Sequence, residues 1–249
     1  AGNIGIPFSE LKLNKRERNI LIIETSSYQL ERIDKLRFKI AILLNISSDH
    51  LDRHKTMKNY VQAKLNIFKN QSQNDFALIC VDDNYCKKVK RNFKKKFQAK
   101  PIFFSVKEEI KDGIFLKESE KFLQINDKIH NETISICKKN LIIRGQHNYQ
   151  NLLATYIVNR LIKSKTKKFI EGIESFPGLE HRFEKFEKFK NISFFNDSKS
   201  TNLNSSLGAL ENLENVYWIA GGLSKVDGFK GVEKYLNNVK NIYLFGKDR

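Results

Sequence analysis

Cysteine is scarce in this chain of 249 residues, which has only Cys80, Cys86 and Cys137. An odd number without Cys-x-x-Cys spacing argues against a disulfide framework and points to no zinc site, so the three are expected to be small buried or half-buried hydrophobes. No apolar run approaches the roughly 20 residues of a membrane-spanning helix, and no basic-then-apolar signal pattern opens the chain. A cytoplasmic protein without a membrane partner is expected. Internal repeats and low-complexity tracts are missing as well. Acidic residues are outnumbered, 28 against 45 lysines and arginines, for a formal charge of +17. That balance invites a nucleic-acid reading, because clustered cations attract phosphate regardless of sequence. The cations are spread along the chain, however. The densest group, Lys87 to Lys96, is interleaved with Val89 and Phe93 near helical spacing, as on the solvated face of a helix. No nucleic-acid partner is expected. Ala1 opens the chain without an initiator Met, and Arg249 closes it just past an apparent strand; both ends suggest a piece of something longer.

What is present is enough apolar material, 40% with 11% aromatic, for one large core or two smaller ones. Ile20 to Ile23, Ile40 to Asn45, Phe76 to Val81 and Ile102 to Ser105 are predicted strands with helical stretches between most of them. This is the signature of an α/β fold with a doubly wound, mostly parallel sheet. Between Gly113 and Ile143 the helical period fades, and Phe122 to Ile125 and Thr133 to Ile136 suggest a small antiparallel excursion. A long helix follows, with Tyr149, Leu152, Leu153, Tyr156, Ile157 and Leu161 on one face. Phe176-Pro177-Gly178 is the strongest breaker. It divides an expected central domain, residues 1–178, from a partial second α/β unit of Rossmann-like type, residues 179–249. In that unit Phe183 to Phe195, Val216 to Ala220 and Ile242 to Phe245 are predicted strands, Gly221-Gly222 a turn and Gly231 to Asn238 a helix.

Three apolar runs stop abruptly in residues able to hold a metal or a phosphate. Ile20 to Ile23 meets Glu24, Thr25, Ser26 and Ser27; Ile40 to Leu44 meets Asn45 and then Asp49-His50; Leu141 to Ile143 meets Gly145, Gln146, His147 and Asn148. The carboxyl ends of parallel strands share one edge, so these groups are expected to converge on one crevice. Lys64 is the oddest residue. Met57, Tyr60, Val61, Leu65 and Phe68 define the apolar stripe of a predicted helix from Thr56 to Asn70, and Lys64 falls within it. A snorkelling side chain is the plain explanation. A desolvated lysine also loses its proton more easily, and can then serve as a nucleophile or a modified ligand. Glu24 is the natural carboxylate for magnesium, which prefers oxygen ligands.

The strings GNIGIP from Gly2, ETSSYQLE from Glu24, LNISSDHLDRH from Leu44, QAKLNIF from Gln62, GQHNYQN from Gly145, FPGLEHRFE from Phe176, NDSKSTN from Asn196 and GGLSK from Gly221 resemble, in order, those of the Mur ligase family. Within that family the resemblance implies the ATP-dependent step that joins D-glutamate to UDP-N-acetylmuramoyl-L-alanine through an acyl phosphate, carried out by a monomer. It implies that Glu24 ligates one magnesium ion, and that Lys64, carbamylated by carbon dioxide, holds a second beside His50. By the same resemblance Asn3, Ser26, Gln29 and His50 lie around the UDP-muramoyl substrate and the nucleotide phosphates, and Asn148 and Asn151 contact the nucleotide. Arg182, Asp197 and Lys199 would close over ATP, and Thr201 and Lys225 would bind D-glutamate.

The family also needs a Gly-rich phosphate loop, and no G-x-x-x-x-G-K-S/T string occurs in these residues. The chain alone is therefore expected neither to hydrolyse ATP nor to ligate glutamate. A different Mur ligase or a folylpolyglutamate synthetase-like enzyme would share the ATP and magnesium residues, and differ around SSYQL and in the C-terminal half.

Overall fold

In the computed structural model of the chain, the residues described are 1–12, 19–143, 145–200, 206, 210, 213–222 and 232–247. They fall into two compact units, Ala1–Phe103 and Phe104–Arg249. The division lies within β3 (Lys100–Ser105), a strand of the six-stranded sheet ordered β1-β2-β3-β4-β5-β6.

In the first unit β1 (Ile40–Leu43) runs parallel to β2 (Phe76–Cys80), with Ile40 opposite Phe76 and Leu43 opposite Ile79. Ala77 to Cys80 are fully buried, which is why β2 is a continuous apolar run: both faces of a central parallel strand are covered. Parallel neighbours require a crossover, supplied here by α2 (Leu51–His54) and α3 (Met57–Leu65), while α1 (Ser27–Glu31) precedes β1 and α4 (Asn84–Lys96) follows β2. Thr56 caps α3 by accepting from the Asn59 N–H, and the Asp83 carboxylate caps α4 by accepting from those of Tyr85 and Cys86. On α4 Cys86, Val89 and Phe93 turn inward and the lysines outward. The Phe93 ring centroid lies 5.4 Å from that of Phe68 and 5.1 Å from that of Phe97.

In the second unit β4 (Ile114–Glu118) lies parallel to the end of β3, and β5 (Phe122–Asp127) and β6 (Glu132–Cys137) continue as an antiparallel meander, the expected excursion. The long helix is α5 (Gln146–Leu161), whose Tyr156 packs against Phe169 of α6 (Thr166–Glu174). Beyond it come an antiparallel pair, β7 (Glu184–Phe189) with β8 (Ile192–Asn196), and a parallel pair, β9 (Val216–Gly221) with β10 (Val239–Phe245). Among the described residues no helix is long and apolar enough to cross a membrane.

Several elements differ from expectation. Ile20 to Ile23 is no strand. One ladder position, Gly2 with Glu24, is all that forms, and Ile20 and Ile22 are 67% and 82% exposed. β-branched residues favour an extended backbone, but a strand also needs a run of partner groups. Leu141 to Ile143 makes no strand either; Leu141 is buried and Ile142 points to solvent in the lead-in to α5. The single strand predicted from Phe183 to Phe195 is a hairpin that turns at Lys190, φ +51°; no glycine or proline marked the turn. The helix predicted from Gly231 is a 3-10 helix, Glu233–Asn238, and Gly231 lies outside the described residues.

Candidate functional site

The segment that delivers Glu24 is fixed by backbone bonds to the first three residues. The amino group of Ala1 donates to the Ile22 carbonyl (3.0 Å), the Glu24 N–H to that of Ala1 (3.0 Å), and the Asn3 N–H to that of Glu24 (2.9 Å). So close an approach requires glycine at position 2: its φ is +106°, and a Cβ there would lie 2.3 Å from the Glu24 carbonyl oxygen. Gly2→Ala is predicted to cost about 1–3 kcal/mol, measured as a lower urea midpoint; an unchanged midpoint would show that this pairing does not hold in solution. The side chains of Asn3 and Glu24 are both exposed at this junction.

Ser26 and Gln29 form a capping box at the start of α1. The Gln29 N–H donates to Ser26 Oγ, and the Ser26 N–H to Gln29 Oε1 (2.9 Å). Their side chains thus have a local structural task, with Gln29 left exposed. The next residues of α1 reach the segment after β1. Ser27 Oγ is 2.9 Å from Nε2 of His54, and Tyr28 Oη is 3.2 Å from Nδ1 of His50. His50 begins α2 in the left-handed region, φ +54°, with its N–H donated to Asp49 Oδ1 at 2.9 Å.

Lys64 lies on α3, half-buried, with its ammonium 5.2 Å from the centroid of the Tyr60 ring. Burial holds its pKa below the ordinary lysine value, against the opposing charges of Cys86, Glu24, Asp49 and Asp83. Cys86 exerts that pull only as a thiolate. Its own pKa is pushed far up by burial, so near neutral pH the thiol is uncharged and the three carboxylates carry the field. Tyr60 is raised to about 12, first by burial and then by the charge of Asp49.

The Tyr60 ring lies between Lys64 and His50, its centroid 5.2 Å from the Lys64 ammonium and 6.4 Å from the His50 ring. Among the described residues no three His, Cys, Asp or Glu side chains converge as a ready cation cage. The donor set fits magnesium on one condition: an ammonium at Lys64 repels a cation, whereas a carbamate there adds oxygens to an acidic neighbourhood.

The sequence reading missed Asp83, although Asp82-Asp83 follow β2 as Glu24 and Asp49 follow earlier apolar runs; the same rule applied to Phe76–Val81 finds it. It also missed the burial of His54, 3% exposed, for which spacing gives no signal. Glu31 Oε1 stands 3.1 Å from His54 Nδ1 without making a hydrogen bond to it.

In the second unit Asn148 and Asn151 lie on α5, Asn148 half-buried and Asn151 exposed. The helix starts at Gly145, φ +87°. Arg182, Asp197 and Lys199 are brought together. Asp197 Oδ1 accepts from the Phe183 N–H (2.8 Å), its Oδ2 from the Ser200 hydroxyl (2.6 Å), and the Lys199 N–H donates to the His181 carbonyl (3.0 Å). Asp197 therefore ties two loops together, leaving the side chains of Arg182 and Lys199 exposed. Thr201 and Lys225 lie outside the described residues.

The family described as Mur ligase middle domain matches residues 2–159. Relatives named UDP-N-acetylmuramoylalanine--D-glutamate ligase include that of Rickettsia prowazekii (strain Madrid E), 38% identical over 250 residues, covering 99% of this chain and 53% of the relative. That of Alkaliphilus metalliredigens (strain QYMF) is 36% identical over 252 residues, with the same coverages of 99% and 53%. The chain spans about half the length of the curated relatives it matches. Among solved structures, MurF from Acinetobacter baumannii superposes with a TM-score of 0.68 at 15% identity, over 91% of this chain and 55% of that one. MurF ligase from Thermotoga maritima, in complex with ADP, gives 0.64 at 21% identity, over 84% and 49%. At such identities the solved structures establish the shared fold, and the match to residues 2–159 establishes the family: the chain belongs to the Mur ligases.

Proposed function

We propose that the chain is part of an ATP-dependent ligase that joins D-glutamate to UDP-N-acetylmuramoyl-L-alanine through an acyl phosphate, in cytoplasmic peptidoglycan precursor synthesis. The observation that carries the reading is Lys64: a half-buried amine on α3, 5.2 Å from the centroid of the Tyr60 ring, whose pKa burial lowers against the pull of acidic groups that include Glu24, Asp49 and Asp83. The choice of amino acid rests on the relatives that share 36–38% identity, whose names specify D-glutamate. ATP as the nucleotide is supported by the ADP complex of the Thermotoga maritima neighbour. A monomer, and a domain boundary at Phe176-Pro177-Gly178, belong to the same proposal.

Burial favours the neutral amine of Lys64, and the neutral amine is the form that attacks carbon dioxide. Its nitrogen forms a bond to carbon and loses a proton, leaving a carbamate. Glu24 would then hold one magnesium ion and the Lys64 carbamate a second beside His50, and these when bound would neutralise charge building on phosphoryl and acyl oxygens. Asn3, Ser26, Gln29 and His50 would lie around the UDP-muramoyl substrate and the nucleotide phosphates, and Asn148 and Asn151 would contact the nucleotide. Arg182 and Lys199 would meet growing negative charge more strongly in the transition state than in the ground state. Asp197, bonded to the Phe183 N–H and the Ser200 hydroxyl, would keep both cations in register. Thr201 and Lys225 would receive D-glutamate, whose amine attacks the acyl phosphate and expels phosphate.

The test uses full-length protein with ATP and magnesium. Phosphate release and amide formation are expected only when UDP-N-acetylmuramoyl-L-alanine and D-glutamate are both present. Preferential use of another amino acid, or of a folate acceptor, would overturn the assignment.

A further inference from the structure

Two consecutive residues of α1 each hold a histidine, and those histidines lie four apart at the two ends of α2. Ser27 Oγ holds His54 at Nε2 (2.9 Å), and Tyr28 Oη holds His50 at Nδ1 (3.2 Å). The four rings form one cluster. Tyr28 meets His50 edge-on with centroids 5.1 Å apart and lies 5.6 Å from His54, which in turn is 5.2 Å from Tyr60. His54 is buried, and Glu31, 3.1 Å from His54 Nδ1 without a hydrogen bond, pairs with Arg53 at 3.1 Å. His50, by contrast, starts the helix at a positive φ of 54°, a conformation uncommon outside glycine, and its ring is only part-buried at the Tyr28 contact.

We infer that Tyr28 is the positioning residue of His50: its phenol oxygen accepts the Nδ1–H, fixes the ring, and leaves the Nε2 lone pair for a cation. This rests on the proposal that His50 borders the magnesium site. The partner of one imidazole nitrogen decides what the other offers. Nε2 is 3.7 Å from Asp49 Oδ2, too long for a hydrogen bond to compete for it. The role falls to the hydroxyl, and phenylalanine at position 28 removes it while keeping the edge-on and tilted ring contacts.

The experiment compares full-length wild type with Tyr28→Phe. In ligand-free, 15N-histidine-labelled protein, wild-type His50 is expected to give the ring signals of the Nδ1–H tautomer, and Tyr28→Phe a redistribution toward Nε2–H. In the ligase assay the magnesium concentration for half-maximal rate should rise about 10–100-fold, with the KM for D-glutamate unchanged. Adding the substitution to His50→Ala should produce no further change. An Nε2–H tautomer in wild type, or a Tyr28→Phe protein with unaltered tautomer and magnesium response, overturns the inference. If His50→Ala itself leaves the magnesium response intact, the underlying reading of His50 fails instead.

Discussion

Lys64→Ala in full-length protein is expected to lower the rate of amide formation by about 10³-fold, with short carboxylic acids restoring part of it. The size of the loss follows from where the amine sits. It is half-buried over the Tyr60 ring, and its pKa is pulled down by burial despite Glu24, Asp49 and Asp83 nearby. A lysine that served only to pack its stem would tolerate methionine, and a lysine that acted as a cation would tolerate arginine. A lysine whose carbamate oxygens bind magnesium tolerates neither, because arginine stays charged and cannot form the carbamate. Rescue by small carboxylates distinguishes a missing anion from a collapsed helix. Unchanged activity of the alanine variant would remove Lys64 from the mechanism.

Asp75→Ala is expected to destabilise the fold by about 3 kcal/mol, read from the shift of the urea midpoint at neutral pH. Asp75 is fully buried at the start of β2 and is held from several directions. Arg37 forks onto it through Nε (2.6 Å) and Nη2 (3.0 Å), and Ser72 donates both its N–H (2.7 Å) and its hydroxyl (3.0 Å). The backbone carbonyl of Asp75 accepts from the Lys100 N–H, so the same residue anchors the start of β3. The Arg37 hydrogen bond, more than the Ser72 bonds, holds its carboxyl well below the usual carboxylate range. The sign follows: a depressed folded pKa gives stability that is fully present above the unfolded value of about 3.9 and is lost as pH falls from there toward the folded value. The gap between wild type and Asp75→Ala should therefore be constant from pH 7 to 5 and narrow below about pH 4. A gap independent of pH would show that the loss comes from packing rather than charge.

How much of this could be read from sequence depended on what each signal measures. β2 was legible because a strand covered on both faces must be apolar throughout, and α4 because its cations and its Cys86, Val89 and Phe93 alternate at helical spacing. Ile20 to Ile23 misled because composition reports backbone preference and not the availability of a neighbouring ladder. The turn at Lys190 was hidden because a positive φ without glycine leaves no mark. At the candidate site, the polar residues after β1 and the inward position of Lys64 were legible. The Tyr28–His50 and Ser27–His54 pairs were not, because they join residues 22 and 27 positions apart in sequence, a separation that no local period encodes.

The proposed ligase chemistry depends on Lys64 taking up carbon dioxide as a carbamate. Carbon NMR of full-length protein equilibrated with 13C-bicarbonate and magnesium tests it most directly. The account predicts one carbamate resonance, absent from Lys64→Ala and Lys64→Arg. No such resonance in wild type at saturating bicarbonate and magnesium, or one that persists in both variants, would contradict it.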